Sequence, residues 1–256
     1  MNETPSWTEK PAGSDAGARL PRALVTIATY NEIENLPPLV EAIFAEAPEV
    51  DLLVIDDNSP DGTGQWCDER SASDRRVRCL HQPGKLGLGT ATIAAMRYAI
   101  EQDYELVLNM DADFSHHPRY IPALLAGMER ADVVIGSRYV AGGGVKDWPL
   151  ARKLMSWGVN TYARLFLGLR PRDCSGAFRC YRVELLKKVD FDSIRSRGYS
   201  FQEEILWLLK RAGARFGETP ILFADRERGQ SKINSGEALA AVWIIFRLGM
   251  KNWLRI

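Results

Sequence analysis

Residues 106–118 read LVLNMDADFSHHP, and that stretch decides the fold. It begins as a short apolar run with the length and character of a buried strand. It then places Asp111 and Asp113 two positions apart. In extended backbone, positions i and i+2 face the same side, so both carboxylates point the same way. Two anions that close repel one another, and withdrawing them from water costs free energy. A strand that ends this way expects a cation.

Outward from this stretch, the same kind of run recurs in ALVTIAT (23–29), DLLVID (51–56), VRCL (77–80) and DVVIG (132–136). Helical spacing fills the intervals at about 35–47, 61–74, 87–101 and 119–129. Strand and helix alternating at this pace predict an α/β fold, with a mostly parallel central sheet and helices on both faces. Ligands of such sheets bind at the carboxyl ends of the strands. There the chain places TYNEIEN, DDNSPDGT, DADFSHH and GSRYVAGGG, after the first, second, fourth and fifth runs. Acids, glycine, serine and arginine therefore gather at one edge of the sheet.

The second half is different. Residues 150–169 predict a helix whose bulky apolar side chains share one broad arc, with Arg152, Ser156 and Asn160 on a polar face. Residues 235–256 predict a second amphipathic helix. Val242, Trp243, Phe246, Met250, Trp253 and Leu254 lie on one arc, and Arg247, Lys251 and Arg255 on the other.

A chain of 256 residues buries about 70–75% of its unfolded surface, so its core needs no disulfide staples. Cys67, Cys79, Cys174 and Cys180 form no C-x-x-C pair and no histidine cluster joins them, so they read as reduced thiols rather than disulfides or a zinc site. Thirty-three basic residues balance thirty-three acidic ones, which argues against nucleic acid as a partner. Residues 1–22 read as a disordered tail, polar and rich in proline, glycine and alanine, without the apolar centre of a signal peptide. The longest apolar run, ALAAVWIIF (238–246), falls short of the roughly 20 residues that a membrane span requires.

Hard carboxylate oxygens at Asp111 and Asp113 suit Mg²⁺ or Mn²⁺, whose coordination shell phosphate oxygens and water complete. In VIDDNSPDGT (54–63), Asp57 reads as an acceptor for a base or ribose, and Asp61 as a cap for the following helix. PGKLGLGTA (83–91) matches neither a P-loop nor a dinucleotide fingerprint. It reads equally as a tight turn or as a loop bringing Lys85 to a phosphate.

TYNEIENL, DDNSPDGT, GKLGLGTA, DADFSHHP, GSRYVAGG, DCSGAFRCYR, GYSFQEEIL and DRERGQSK occur in this order between about residues 23 and 235. Together they resemble the polyprenol-phosphate (dolichol-phosphate) mannosyltransferases, glycosyltransferases of family 2 with the GT-A fold. Two departures stand out: Ala28 replaces a usual proline, and DCSGAFRCY carries an extra small residue. The resemblance implies a GT-A domain over 23–234, including an interfacial helix at about 150–169, followed by the 235–256 helix. It also implies inverting transfer of mannose from GDP-mannose to polyprenyl phosphate. The metal would be held by Asp111 and Asp113 with Ser115 at the third position. Guanine and ribose would rest on Thr29, Tyr30, Glu32 and Asp57, and Arg138, Arg226 and Lys232 would bring positive charge to the phosphates.

A phosphate monoester is already largely dianionic at neutral pH, its second pKa being about 6. Such a nucleophile needs cations to bind it rather than a base to create it. Arg152 and Ser156 match the family's acceptor-phosphate pair, and Glu203 and Glu204 then fall to an orienting or structural role. A lipid-linked acceptor requires contact with a bilayer, which amphipathic helices with aromatic apolar faces and basic opposite faces provide. The expectation is a cytoplasmic enzyme held peripherally at the cytoplasmic face of a membrane, with room for a homo-oligomer or a membrane partner subunit. Two alternatives stay open: the same fold using another donor such as UDP-glucose, and a non-catalytic nucleotide-sugar sensor.

Overall fold

The computed structural model describes residues 21–196, 198, 200–224 and 242–250. Most of the predicted tail, the residues Arg226 and Lys232, and both ends of the 235–256 helix lie outside them. The five apolar runs become strands β1 (Ala23–Thr29), β2 (Asp51–Asp56), β3 (Val77–His81), β4 (Leu106–Asp111) and β5 (Val133–Ser137). The helices between them are α1 (Leu36–Glu46), α2 (Thr63–Ser73), α3 (Leu88–Glu101) and α4 (Ile121–Gly127). β1 to β4 pair in parallel in the order β3-β2-β1-β4. A right-handed twist and helical crossovers allow only this kind of layered solution for such a pattern.

Further on come β6 (Gly144–Val145), α5 (Leu150–Leu167), β7 (Arg179–Arg182), α6 (Val183–Leu186), α7 (Phe201–Arg211), β8 (Phe216–Pro220) and β9 (Leu222–Phe223). β7 inserts antiparallel between β4 and β5, and β8 closes the far edge parallel to β5. β6 and β9 form a separate two-stranded ladder. The main sheet is thus mostly parallel with one reversed strand. Two apolar clusters cover its faces, one around Leu36, Leu39 and Ile43 of α1, the other around α3, α7 and the inner side of α5.

Helix α8, residues 242–250, packs on α5 through Phe246 against Phe166. Ile245 and Leu248 are buried in the second cluster, and a side chain at Gly249 would press on Phe166. Inward, α5 presents Asn160, Ala163 and Leu167. Outward it presents Leu150, Leu154, Trp157 and Leu165, exposed by 71, 60, 59 and 71%. Those four share one helical face. The helix therefore carries an exposed apolar face in addition to its core-facing one, where an ordinary surface helix is polar outside. On α8, Val242, Trp243, Phe246 and Met250 are exposed as well.

Candidate active site

Three of the five non-glycine residues with positive φ among the described residues lie at the carboxyl edge of the sheet. Asn31, Asn58 and Phe114 follow closely on β1, β2 and β4 with φ of 59°, 60° and 59°. Asparagine tolerates the left-handed region; a bulky phenylalanine there is an outlier of the kind that clusters at functional sites. β1 and β4 pair with Ala28 opposite Asp111, so the Tyr30 end of one strand stands beside the Asp111–Asp113 end of the other.

Asp113 is buried, and its Oδ1 accepts from Ser115 N at 3.1 Å and Ser115 Oγ at 2.5 Å. Ser115 thus holds the Asp113 carboxylate, beside which the resemblance also implied Ser115 as a metal ligand. Asp111 is half-buried, and its backbone N–H donates to His116 Nδ1 at 3.1 Å. That bond makes Nδ1 an acceptor, and full burial beside Phe178 and Phe223 pushes His116 below its ordinary pKa. The imidazole is therefore neutral. It does not offset the two carboxylates above it, and their hard oxygen donors suit Mg²⁺ or Mn²⁺.

The nucleotide-side residues divide. Tyr30, Asp57 and Lys85 converge: Lys85 Nζ lies 4.4 Å from the centre of the Tyr30 ring. Burial pushes the Asp57 carboxyl up, against the Gly87 and Leu86 N–H groups and Lys85, which pull it down. Asp57 Oδ1 is buried without a hydrogen-bond partner among the described residues. Thr29 sits behind this group, buried, with its hydroxyl 3.3 Å from Ile55 O and from Asp56 Oδ1. The Glu32 N–H donates to Thr63 Oγ1 at 3.0 Å, and its Oε2 accepts from Asn35 at 2.8 Å. Asp61, predicted as a cap, lies one position before the N-cap Gly62; its Oδ1 accepts from Thr63 N and Oγ1, and its Oδ2 from Ile33 N.

Arg138 leaves the end of β5 and meets Asp173. Nε and Nη2 each donate to that carboxylate at 2.7 Å, and Nη2 also reaches Ser175 Oγ at 2.9 Å. Burial alone would raise the Asp173 carboxyl, but the Arg138 charge and its hydrogen bonds win and hold it low. Charge for the phosphates was expected of Arg138; in this arrangement Asp173 balances it.

Trp148 joins the two halves of the site. Its ring lies 5.6 Å from the Arg138 guanidinium and 4.0 Å from that of Arg152. Tyr139, next to Arg138, donates its hydroxyl to Ser156 Oγ at 2.6 Å. The acceptor pair predicted on α5 therefore touches the loop that carries Arg138. Asn160 acts on another loop. Its Oδ1 accepts from Cys174 N at 2.6 Å and Ser175 N at 3.1 Å, which fixes the segment that bears Asp173. Phe223 packs edge-on against His116 and Trp148, and Arg226 follows three positions later in the sequence.

Residues 24–190 match the family model described as "Glycosyl transferase family 2". The chain belongs to glycosyl transferase family 2. It is similar to an undecaprenyl-phosphate mannosyltransferase of Micrococcus luteus, 45% identical over 90% of this chain and 94% of the relative. It is also similar to a polyprenol monophosphomannose synthase of Mycolicibacterium smegmatis, 40% identical over 98% of this chain and 96% of the relative. Among solved structures, glucosyl-3-phosphoglycerate synthase of Mycobacterium tuberculosis, in complex with Mn²⁺, UDP and glucosyl-3-phosphoglycerate, matches with TM-score 0.62 at 17% identity, covering 91% of this chain and 79% of that one. Residues 1–349 of TarS from S. aureus, in complex with UDP-GlcNAc, match with TM-score 0.59 at 19% identity, covering 90% and 67%. The expected GT-A fold is the fold found, and the protein is a glycosyltransferase.

Of the residues that matter here, Asp173, Tyr139 and Trp148 were not singled out from the sequence. DCSG and GSRY were legible as motifs, but the partner each serves was not.

Proposed function

We propose that this glycosyltransferase transfers mannose from GDP-mannose to polyprenyl phosphate, with inversion and with a divalent cation. The observation carrying this reading is the register of β1 and β4, with Ala28 opposite Asp111. It stands the Tyr30–Asp57–Lys85 wall next to the Asp111–Asp113 pair, which suits a nucleoside with its diphosphate one strand over. Asp57 Oδ1, buried and unpartnered among the described residues, is the acceptor that a base N–H or ribose hydroxyl would meet. The names of both curated relatives point to the same sugar and acceptor class.

Asp111 and Asp113 would hold Mg²⁺ or Mn²⁺, with Ser115 fixing Asp113. The bound ion supplies positive charge to the departing diphosphate. The bond between sugar C1 and the β-phosphate oxygen breaks with its electron pair on GDP. A new bond forms from an acceptor phosphate oxygen to the opposite face of C1. That oxygen arrives ionised, so no proton needs removing. In this reading Arg152 and Ser156 hold the acceptor phosphate. Arg138 organises the loop between the two phosphates through Asp173, and Arg226 and Lys232 bring charge to the leaving group.

The outward apolar faces of α5 and α8 fit the surface of a bilayer, where the polyprenyl tail resides. No helix among the described residues is long and apolar enough to cross a membrane.

The deciding experiment offers the protein labelled GDP-mannose or UDP-glucose together with a short polyprenyl phosphate, with and without Mn²⁺. Label from GDP-mannose should enter the organic phase only with the metal. Label from UDP-glucose instead would overturn the donor assignment. Metal-dependent nucleotide binding without transfer would support the sensor reading.

A further inference from the structure

The outer edge of the sheet gathers a second set of donor atoms. Asp68 lies on α2, and Cys79 and His81 lie on β3. Each offers one ligand atom, and these atoms all lie within 4.8 Å of one another. The sequence did not suggest this meeting, because thirteen positions separate His81 from Asp68. In the fold, α2 packs back on β3, and Cys79 and His81, two positions apart, share one side of that strand.

We propose that Asp68, Cys79 and His81 bind a thiophilic divalent cation of the zinc type, at a site separate from Asp111 and Asp113. Metal bonds of about 2.0–2.3 Å in a tetrahedron leave ligand atoms about 3.5 Å apart. The three atoms close around an ion by side-chain rotation, and water fills the fourth position. Sulfur and imidazole nitrogen select zinc over Mg²⁺ or Mn²⁺. One thiolate and one carboxylate balance the charge of the ion.

The supporting residues are also present. His81 Nε2 lies 2.9 Å from Asp68 Oδ1, while Nδ1 faces Asp56 Oδ2 at 3.8 Å. A carboxylate behind the imidazole is the usual companion of a metal-bound histidine, and Asp56 stands on that side just beyond hydrogen-bond distance. Cys67 is buried beside Cys79; their hydrogen bond, together with burial, pushes the Cys67 thiol far up, which makes it a donor to the Cys79 sulfur. Ligands must be deprotonated to bind, and the Asp68 hydrogen bond raises the His81 imidazole above its ordinary pKa, so affinity rises with pH. Asp68 and His81 are exposed, so an ion reaches the site from water.

The position gives the site a consequence. His81 is opposite Asp56 in the β2–β3 ladder. Asp56 in turn holds the turn after β2, with Oδ2 accepting from Ser59 N at 3.1 Å and Oδ1 from Ser59 Oγ at 2.5 Å. An ion on His81 braces the wall that carries Asp57.

The test titrates metal-free protein with Co²⁺, the spectroscopic stand-in for zinc. A sulfur-to-cobalt charge-transfer band should appear, and stoichiometric Zn²⁺ should displace it. Cys79→Ser should abolish the band, and Asp68→Asn should weaken binding by at least about tenfold. Asp68 is an exposed helix residue, so that variant keeps its fold. Asp113→Asn should leave the band intact. No band, a band that survives Cys79→Ser, or a band lost in Asp113→Asn would overturn the site. Because the readout is a cobalt spectrum and not turnover, failure here leaves the transfer reading standing.

Discussion

Asp173 accepts both Nε and Nη2 of Arg138 at 2.7 Å and the Arg138 backbone N–H at 3.0 Å, while Gly176 N adds a further bond at 2.9 Å. Both partners are buried. Removing one charge of such a pair leaves the other uncompensated in a dry setting, which typically costs about 3–5 kcal/mol. Asp173→Asn should therefore lower stability by that order in urea unfolding. Arg138→Lys should also fail to substitute, because a point charge cannot reproduce the two-pronged contact. Full stability in either variant would show that the pair does not hold the loop.

Glu203 supplies a pH test. It is fully buried on α7, and burial pushes its carboxyl up to about 7, against Arg179, which pulls it down. Its Oε2 has no hydrogen-bond partner among the described residues. With the folded value above the unfolded one, the stabilisation is complete below the unfolded pKa and is lost as pH rises towards 7. The window from 4.5 to about 7 corresponds to roughly 3 kcal/mol. Glu203→Gln should flatten this decline and leave turnover at pH 8 within about tenfold of the parent. A loss of about 10²–10⁴-fold at unchanged stability would instead mark Glu203 as a catalytic base.

The contrast between these two residues shows what a sequence displays. β1 to β5 were legible because buried parallel strands are continuous apolar runs, and their ends came within a residue or so of the predicted bounds. β7 was not legible. Its sequence RCYR looks like a surface loop, yet Arg179 is fully buried and donates to the carbonyls of Gln202 and Cys174. α7 hides in the same way, burying Gln202, Glu203 and Glu204. Glu204 is satisfied by the Ser196 N–H and hydroxyl. Polar side chains report burial only through partners, and those partners are distant in the chain. The strand-end residues Asp57, Asp111 and Asp113 could be read because their position follows from the strand itself. Asp173 could not, because it acts through Arg138, thirty-five positions away.

Arg152 separates the acceptor from the donor. It is on α5, stacked on Trp148, and away from the Tyr30–Asp57–Lys85 wall by sequence and by element. Loss of a hydrogen bond to a charged group costs about 1.5–3 kcal/mol, or about 10–100-fold in affinity. Arg152→Ala should raise the KM for polyprenyl phosphate by that factor while the affinity for GDP, measured by calorimetry with Mn²⁺, stays unchanged. Equal loss of both affinities would remove Arg152 from the acceptor site.

The outward apolar face of α5 yields the last test. Leu150, Leu154, Trp157 and Leu165 face water while Asn160 on the same helix is buried. That arrangement gains nothing in a free soluble molecule, since exposed apolar area forgoes about 25 cal/mol per Å². α8 adds Trp243 and Phe246, and the ring centres of Phe166 and Phe246 stand 6.4 Å apart where the two helices meet. Arg247, exposed on α8, favours anionic lipid. The protein should sediment with vesicles containing anionic phospholipid, less with purely zwitterionic ones, and its tryptophan emission should shift to the blue on binding. Trp157→Ser and Trp243→Ser should each weaken the partition by about tenfold, the equivalent of about 1.4 kcal/mol, without lowering thermal stability. If both variants bind vesicles as the parent does, these faces are not the membrane contact, and a protein partner must cover them.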